Sequence, residues 1–198
     1  MAGIKKSGLD RPTNRSAALQ TDMSKACEFL NESLDGRIQM DLDELTVEEF
    51  LKQRNLAIHR VLGDGHCLLH SWCRATNSSM KEVKRRLLKE YNEYQREYEQ
   101  ADISLDDLKH YLRDRSYQLN SVDAVIEMLS NAFEVTVFIV GQKYDYSDPD
   151  PTPVDGKMEI KRIGSQAATR SILLHKDAAH YNCIESNRLQ SGLIFYSS

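Results

Sequence analysis

Within LGDGHCLLHSW, residues Leu62 to Trp72, Cys67 follows two glycines that flank an aspartate and precedes an apolar run. Gly63 and Gly65 on either side of Asp64 let the backbone turn sharply and open its amides to close approach. The run LLHSWCRA is long enough for a helix, which places Cys67 in that helix's first turn. There, unpaired N–H groups and the positive end of the helix dipole favour a thiolate over a thiol. The sulfur becomes a better nucleophile near neutral pH, and the same amides can hold a developing oxyanion. The competing reading is a cysteine that acts as a small core residue, as most isolated cysteines do.

A thiolate nucleophile needs a partner that takes and returns a proton, and that partner needs a group to hold its ring. Far along the chain, AHYNCIES supplies both types. As a strand it projects His180 and Asn182 from one face and Tyr181 and Cys183 from the other. An asparagine carbonyl beside a histidine can accept the ring N–H and fix the tautomer, as in the Cys-His-Asn arrangement of papain-like proteases. The other five histidines are read as structural or solvent-exposed. His66 and His70 flank Cys67, but His70 has no obvious orienting carboxylate or amide. His59 belongs to an incoming strand, and His110 and His175 have no partner legible in the sequence. A zinc site is the rival chemistry, because Cys67 with His70 is spaced Cys-x2-His and His180 with Cys183 is spaced His-x2-Cys. One pair would sit on a helix and the other would point to opposite faces of a strand, so no metal is expected.

The elements that must position these residues follow from periodicity. AIHRVL, residues 57 to 62, reads as a short strand or extended lead into the glycines. Before it, Ala26, Phe29, Leu30 and Leu34 recur at helical spacing from Met23, and Thr46 with Glu49 forms a capping box that opens a second short helix. After it, Ser79 with Glu82 opens a helix whose stripe Met80, Val83, Leu87, Tyr91, Tyr94 and Tyr98 predicts one long element. Ser104 and Ser121 each precede another helical pattern. EVTVFIVG then reads as a largely buried strand, followed by a loop over QKYDYSDPDPTPVDG and short strands at MEIKRI, SILLH, HYNCIES and LIFY. Helices first and strands last predict an α+β domain with a mainly antiparallel sheet packed against helices.

The 198 residues suit one domain, with residues 1–21 as a mobile polar arm and 22–198 as the folded unit. With 26 basic against 30 acidic residues the net charge of −4 speaks against nucleic acid as the main partner. No apolar run approaches the ~20 residues that span a bilayer, and MAGIKKSGLDRPTNRS lacks a signal-peptide apolar region, so no membrane is expected and the protein is placed in the cytoplasm or nucleus. Cys27, Cys67, Cys73 and Cys183 are too few and too scattered for a disulfide scaffold.

GDGHCLLHSW together with the later HYN resembles the OTU (ovarian tumour) family of cysteine proteases, whose members cleave ubiquitin from proteins. Asp64, Gly65, Cys67, His70, His180 and Asn182 fall on its pattern, Asp-Gly-x-Cys followed by apolar or aromatic residues and an Arg or His, then a distant His-x-Asp/Asn. The resemblance runs from about Ala57 to Glu185. It implies a papain-like fold with a central sheet between helices, Cys67 as nucleophile, His180 as general base, Asn182 as the group that orients it, and Asp64 as the acid of the loop that shapes the oxyanion hole. Leu68 and Leu69 depart from the aromatic residue often found there, and His66 from a common asparagine. The expected activity is a deubiquitinating thiol protease without cofactor, acting as a monomer on ubiquitin, polyubiquitin or a ubiquitin-like modifier. The alternative is a catalytically weak ubiquitin-binding module on the same fold.

Overall fold

The computed structural model describes residues 14–36, 45–114, 122–145, 152–164 and 168–187. Among them the order is α1 (Asn14–Leu34), α2 (Val47–Gln53), β1 (Leu56–His59), α3 (Cys67–Thr76), α4 (Met80–Glu93), α5 (Gln95–Gln100), α6 (Leu105–Arg113), α7 (Val122–Phe133), β2 (Val135–Asp145), β3 (Thr152–Ile163), β4 (Arg170–Asp177) and β5 (His180–Ser186). Three of the caps expected from sequence are made: Thr46 and Glu49 exchange both hydrogen bonds of a capping box, and Ser79 and Ser104 accept the Glu82 and Asp107 amides. No helix among the described residues is long and apolar enough to cross a membrane.

The five strands form one sheet in the order β1-β5-β4-β2-β3, antiparallel except for the β2–β4 pair. Successive β2 side chains point to opposite faces, which separates two cores. Val137 and Ile139 pack with α3, α4, α6 and α7, through Leu69, Trp72, Val83, Leu87, Leu108 and Leu129. Phe138 and Val140 pack with α1 and α2, through Leu30 and Phe50. Burial on both faces explains why EVTVFIVG is apolar without alternation.

Several expectations are corrected. The single long helix breaks at Tyr94, whose backbone (φ −121, ψ 34) leaves helical geometry. The break folds Tyr98 back onto Tyr91 with ring centroids 6.1 Å apart, lets its hydroxyl donate to Glu90, and leaves Tyr94 exposed. Packing of that pair outweighs continuation of the stripe. The segment read as a loop over 142–156 is largely hairpin, because β2 continues to Asp145 and β3 begins at Thr152. Pro153 is tolerated there because β3 is an edge strand. The helix expected from Met23 begins at Asn14. Residues 1–13 of the proposed arm, the Ser121 cap and the LIFY strand lie outside the described residues.

Two contacts fasten α3, which starts at Cys67, to β5, which starts at His180. Ser71 Oγ donates to the Tyr181 carbonyl at 3.0 Å, and Arg74 grips Glu185 through Nε at 2.5 Å and Nη2 at 3.0 Å. The Glu185 carboxylate is 10% exposed and the guanidinium 37% exposed, so loss of the arginine strands a mostly buried charge. Arg74→Ala is expected to cost about 1–3 kcal/mol in urea unfolding, a range discounted for the solvated guanidinium. Glu185→Gln, which keeps an acceptor without the charge, costs less; a loss within about 0.5 kcal/mol for Arg74→Ala would show that the pair does not clamp the two elements.

Candidate active site

The loop between β1 and α3 is shaped by Asp64. Its Oδ1 accepts the His66 N–H at 3.1 Å and its Oδ2 meets His70 Nε2 at 3.1 Å. This turn requires Gly65 in the left-handed region, at φ 82. His66 stands at the helix N-cap but its side chain makes no cap; the ring is buried, donates from Nε2 to the Tyr111 carbonyl at 2.5 Å, and packs edge-on to the Tyr111 ring. The loop before α3 is thus pinned to the end of α6, while the first turn of α3 lacks a side-chain cap at its N-cap residue.

His70 was expected to lack an orienting carboxylate, and this is corrected: Asp64 is that carboxylate. The reversal at Gly65 carries Asp64 back over the first turns of α3, a consequence of backbone geometry that residue spacing does not reveal. The resemblance assigned Asp64 to shaping the oxyanion hole; in the structure it braces the loop, and its Oδ1 already takes the His66 amide, one candidate oxyanion donor.

His180 and Asn182 come together on one face of β5, with Nε2 to Oδ1 at 3.1 Å. Val61 N–H donates to the same Oδ1 at 3.2 Å. A backbone amide can only donate, so this contact identifies that atom as the carbonyl oxygen. His180 Nε2 must then carry the proton, and Nδ1 keeps its lone pair. A Cβ on Gly63 would lie 3.7 Å from His180 Cε1 and 3.8 Å from Nδ1. The basic nitrogen therefore faces the glycine turn that leads to Cys67, and a side chain longer than a methyl at position 63 would cover it.

Cys67 Sγ accepts the Tyr181 N–H at 3.5 Å. Tyr181 and Tyr111 wall the sulfur, and burial pushes the Tyr181 phenol up to about 12 and raises that of Tyr111 as well, with the Cys67 charge adding to both. Both phenols stay neutral at working pH. The contributions of Val61, Tyr111 and Tyr181 were not anticipated, because all three act through backbone atoms, which carry no residue-type signal. His175 is also better placed than its sequence suggests: it lies across from Asn182 in the β4–β5 register. Of the pairs spaced for zinc, His180 sits with Asn182 while Cys183 is buried in the sheet. Among the described residues no group of three or more His, Cys, Asp or Glu side chains is arranged to hold a metal ion.

No family model and no curated protein matches this chain by sequence. Solved structures do match by shape. The OTU domain of OTUD1 aligns with a TM-score of 0.52 at 16% identity, covering 72% of this chain and 96% of that one. An ovarian tumour (OTU) domain in complex with ubiquitin aligns at 0.50 and 18% identity, covering 74% and 78%. The chain therefore has the OTU-domain fold.

The four thiols differ in environment. Burial pushes Cys27 and Cys183 up to about 12 and raises Cys73. At about pH 8 a thiol of pKa about 12 is ionised in roughly one molecule in ten thousand, so alkylation of the native protein with limiting iodoacetamide should fall on Cys67 first. Peptide mass spectrometry reads the position; equal early labelling of Cys73 or Cys183 would contradict the assignment of Cys67 as the reactive thiol.

Proposed function

We propose that the protein is an OTU-type cysteine protease that hydrolyses the isopeptide bond following the C-terminal glycine of ubiquitin. The observation that carries this reading is the chain of contacts from Val61 N–H through Asn182 Oδ1 to His180 Nε2, which leaves Nδ1 directed at the glycine turn before Cys67. It stands on a fold shared with an OTU domain in complex with ubiquitin.

Cys67 gives up its proton to His180 Nδ1 and the thiolate attacks the glycine carbonyl. The carbonyl electrons move onto oxygen, which the Cys67 amide at the helix start receives; the His66 amide, already bonded to Asp64, does not contribute. His180 returns the proton to the departing lysine amine as the C–N bond breaks, and a thioester remains. Water then attacks that thioester with His180 again accepting a proton, which releases the ubiquitin carboxylate and restores the thiol. Asn182 holds the ring and exchanges no proton. Every group in this scheme comes from one chain, and none requires a cofactor.

Turnover of ubiquitin carrying a C-terminal fluorogenic amide tests the proposal. Cys67→Ala and His180→Ala should each abolish it, because the chemistry itself is removed. Asn182→Ala should lower kcat about 10- to 100-fold, since the ring loses its orientation but keeps its base. His70→Ala should retain most activity, because Asp64 keeps its second hydrogen bond, to the His66 amide. Folded wild-type protein that binds ubiquitin without turnover would establish the binding-module reading instead, and a folded His70→Ala protein as inactive as His180→Ala would transfer the base role to His70.

A further inference from the structure

On the face of the sheet that carries the candidate base, four side chains form a block across two strands. The register places His175 opposite Asn182 and Asp177 opposite His180. Directly opposed residues in an antiparallel pair hold their Cβ atoms about 4.5–5.5 Å apart, so the His175 ring stands against the Asn182 amide. His175 is half-buried, and its Nδ1 is fully covered yet has no hydrogen-bond partner among the described residues. A buried polar atom left unpaired is uncommon and calls for a reason. On the next strand its register partner is the apolar Val140. The charged or titratable groups that act on it are Asp177 of its own strand, Glu48 of α2 and His180 of β5.

We propose that His175 is a positioning residue of the His180–Asn182 pair: as a neutral ring it fixes the Asn182 amide from the neighbouring strand, and on gaining a proton it releases that amide and disables the pair. Two physical effects give the direction. A neutral ring with an unpaired nitrogen fills the space beside Asn182 without competing for Oδ1, which already accepts from Val61 and His180. A protonated ring has two N–H donors, so Nδ1 then carries a hydrogen that must find an acceptor in a covered position where Asn182 carries the carbonyl on the adjoining strand. The added positive charge also opposes protonation of His180, which the reaction requires. Burial, the largest influence, holds the ring's pKa below the ordinary histidine value; His180 acts in the same direction, while Asp177 and Glu48 act against it. The ring is therefore neutral around pH 7 and gains its proton only in acid.

This inference rests on His180 being the base for Cys67, as proposed above, but its test needs no ubiquitin. The alkylation rate of Cys67 by iodoacetamide is measured in the whole protein between about pH 5 and pH 8.5, with circular dichroism restricting the comparison to the folded range. His175→Ala, which vacates the space, should slow alkylation about tenfold near pH 7.5, as Asn182→Ala does. His175→Gln fills the space and does not titrate; it should recover the rate to within about threefold near pH 7.5, and its ratio of acid to neutral rate should exceed the wild-type ratio by about fivefold. A merely structural role would change the rate and leave the shape of the pH profile intact. Superimposable normalised profiles for wild type and His175→Gln, or a full rate in His175→Ala, would overturn the proposal. If the profiles differ as expected while ubiquitin substrates are not turned over, the positioning role stands and the substrate assignment fails.

Discussion

One oxygen atom carries the geometry of the candidate site. Asn182 Oδ1 accepts both Val61 N–H and His180 Nε2–H, so the same atom sets the tautomer of the ring and ties the loop entering α3, which starts at Cys67, to the strand that bears His180. That is possible only because β1 pairs antiparallel with β5, with His59 opposite Cys183, which brings the chain just beyond β1 alongside the start of β5. A slip of one residue in this register would send His180 and Asn182 together to the opposite face and part Asn182 from Val61. The packing of both faces opposes such a slip: Ile58 and Ile184 belong to the core under α1 and α2, and Tyr181 to the core under α3.

The two cores divide the labour of the site. The α3 side presents the cysteine, and the opposite side presents the His180–Asn182 pair, so on the proposed mechanism the two meet around the end of β5. The turn of Ala178 and Ala179 places His180 at that end, with Ala178 in the left-handed region at φ 50. A residue with a Cβ pays about 1 kcal/mol for this conformation. Arg74 with Glu185 and Ser71 with the Tyr181 carbonyl then hold α3 against β5 at several points along their length. The position of the Cys67 sulfur relative to the His180 ring is thus set by packing of whole elements.

What was legible in the sequence were the features that depend on residue type at short range. The Thr46–Glu49 capping box, the Ser79 half of the second box, the glycine turn, the helix beginning at Cys67 and the shared face of His180 and Asn182 all follow from local rules, and all are present. What was hidden depends on backbone atoms or on pairing between distant strands. Val61 and Tyr181 act through their amides, and any residue but proline could supply those. The partner of His70 required knowledge of how the chain reverses at Gly65, and the neighbour of His175 required the β4–β5 register. The break at Tyr94 was missed for a related reason: helical periodicity continued through it, while the stacking of Tyr98 on Tyr91 was decided in three dimensions.

The choice of an amide at position 182 follows from the same burial that makes the site rigid. Asn182 is 6% exposed, and a carboxylate there would be a buried charge. It would be balanced while His180 is protonated and unbalanced whenever the ring is neutral, which is the state from which the cysteine must be deprotonated. An aspartate would also stabilise a cationic His180, so that more of the ring would already hold its proton in the resting protein. The amide offers the same carbonyl geometry to the ring N–H in both protonation states, and its second acceptor site is satisfied by Val61. The His180–Asn182 contact can therefore persist through proton transfer without a change in its own charge, and the electrostatic response of the site falls to His180, Cys67 and the neutral groups packed around them.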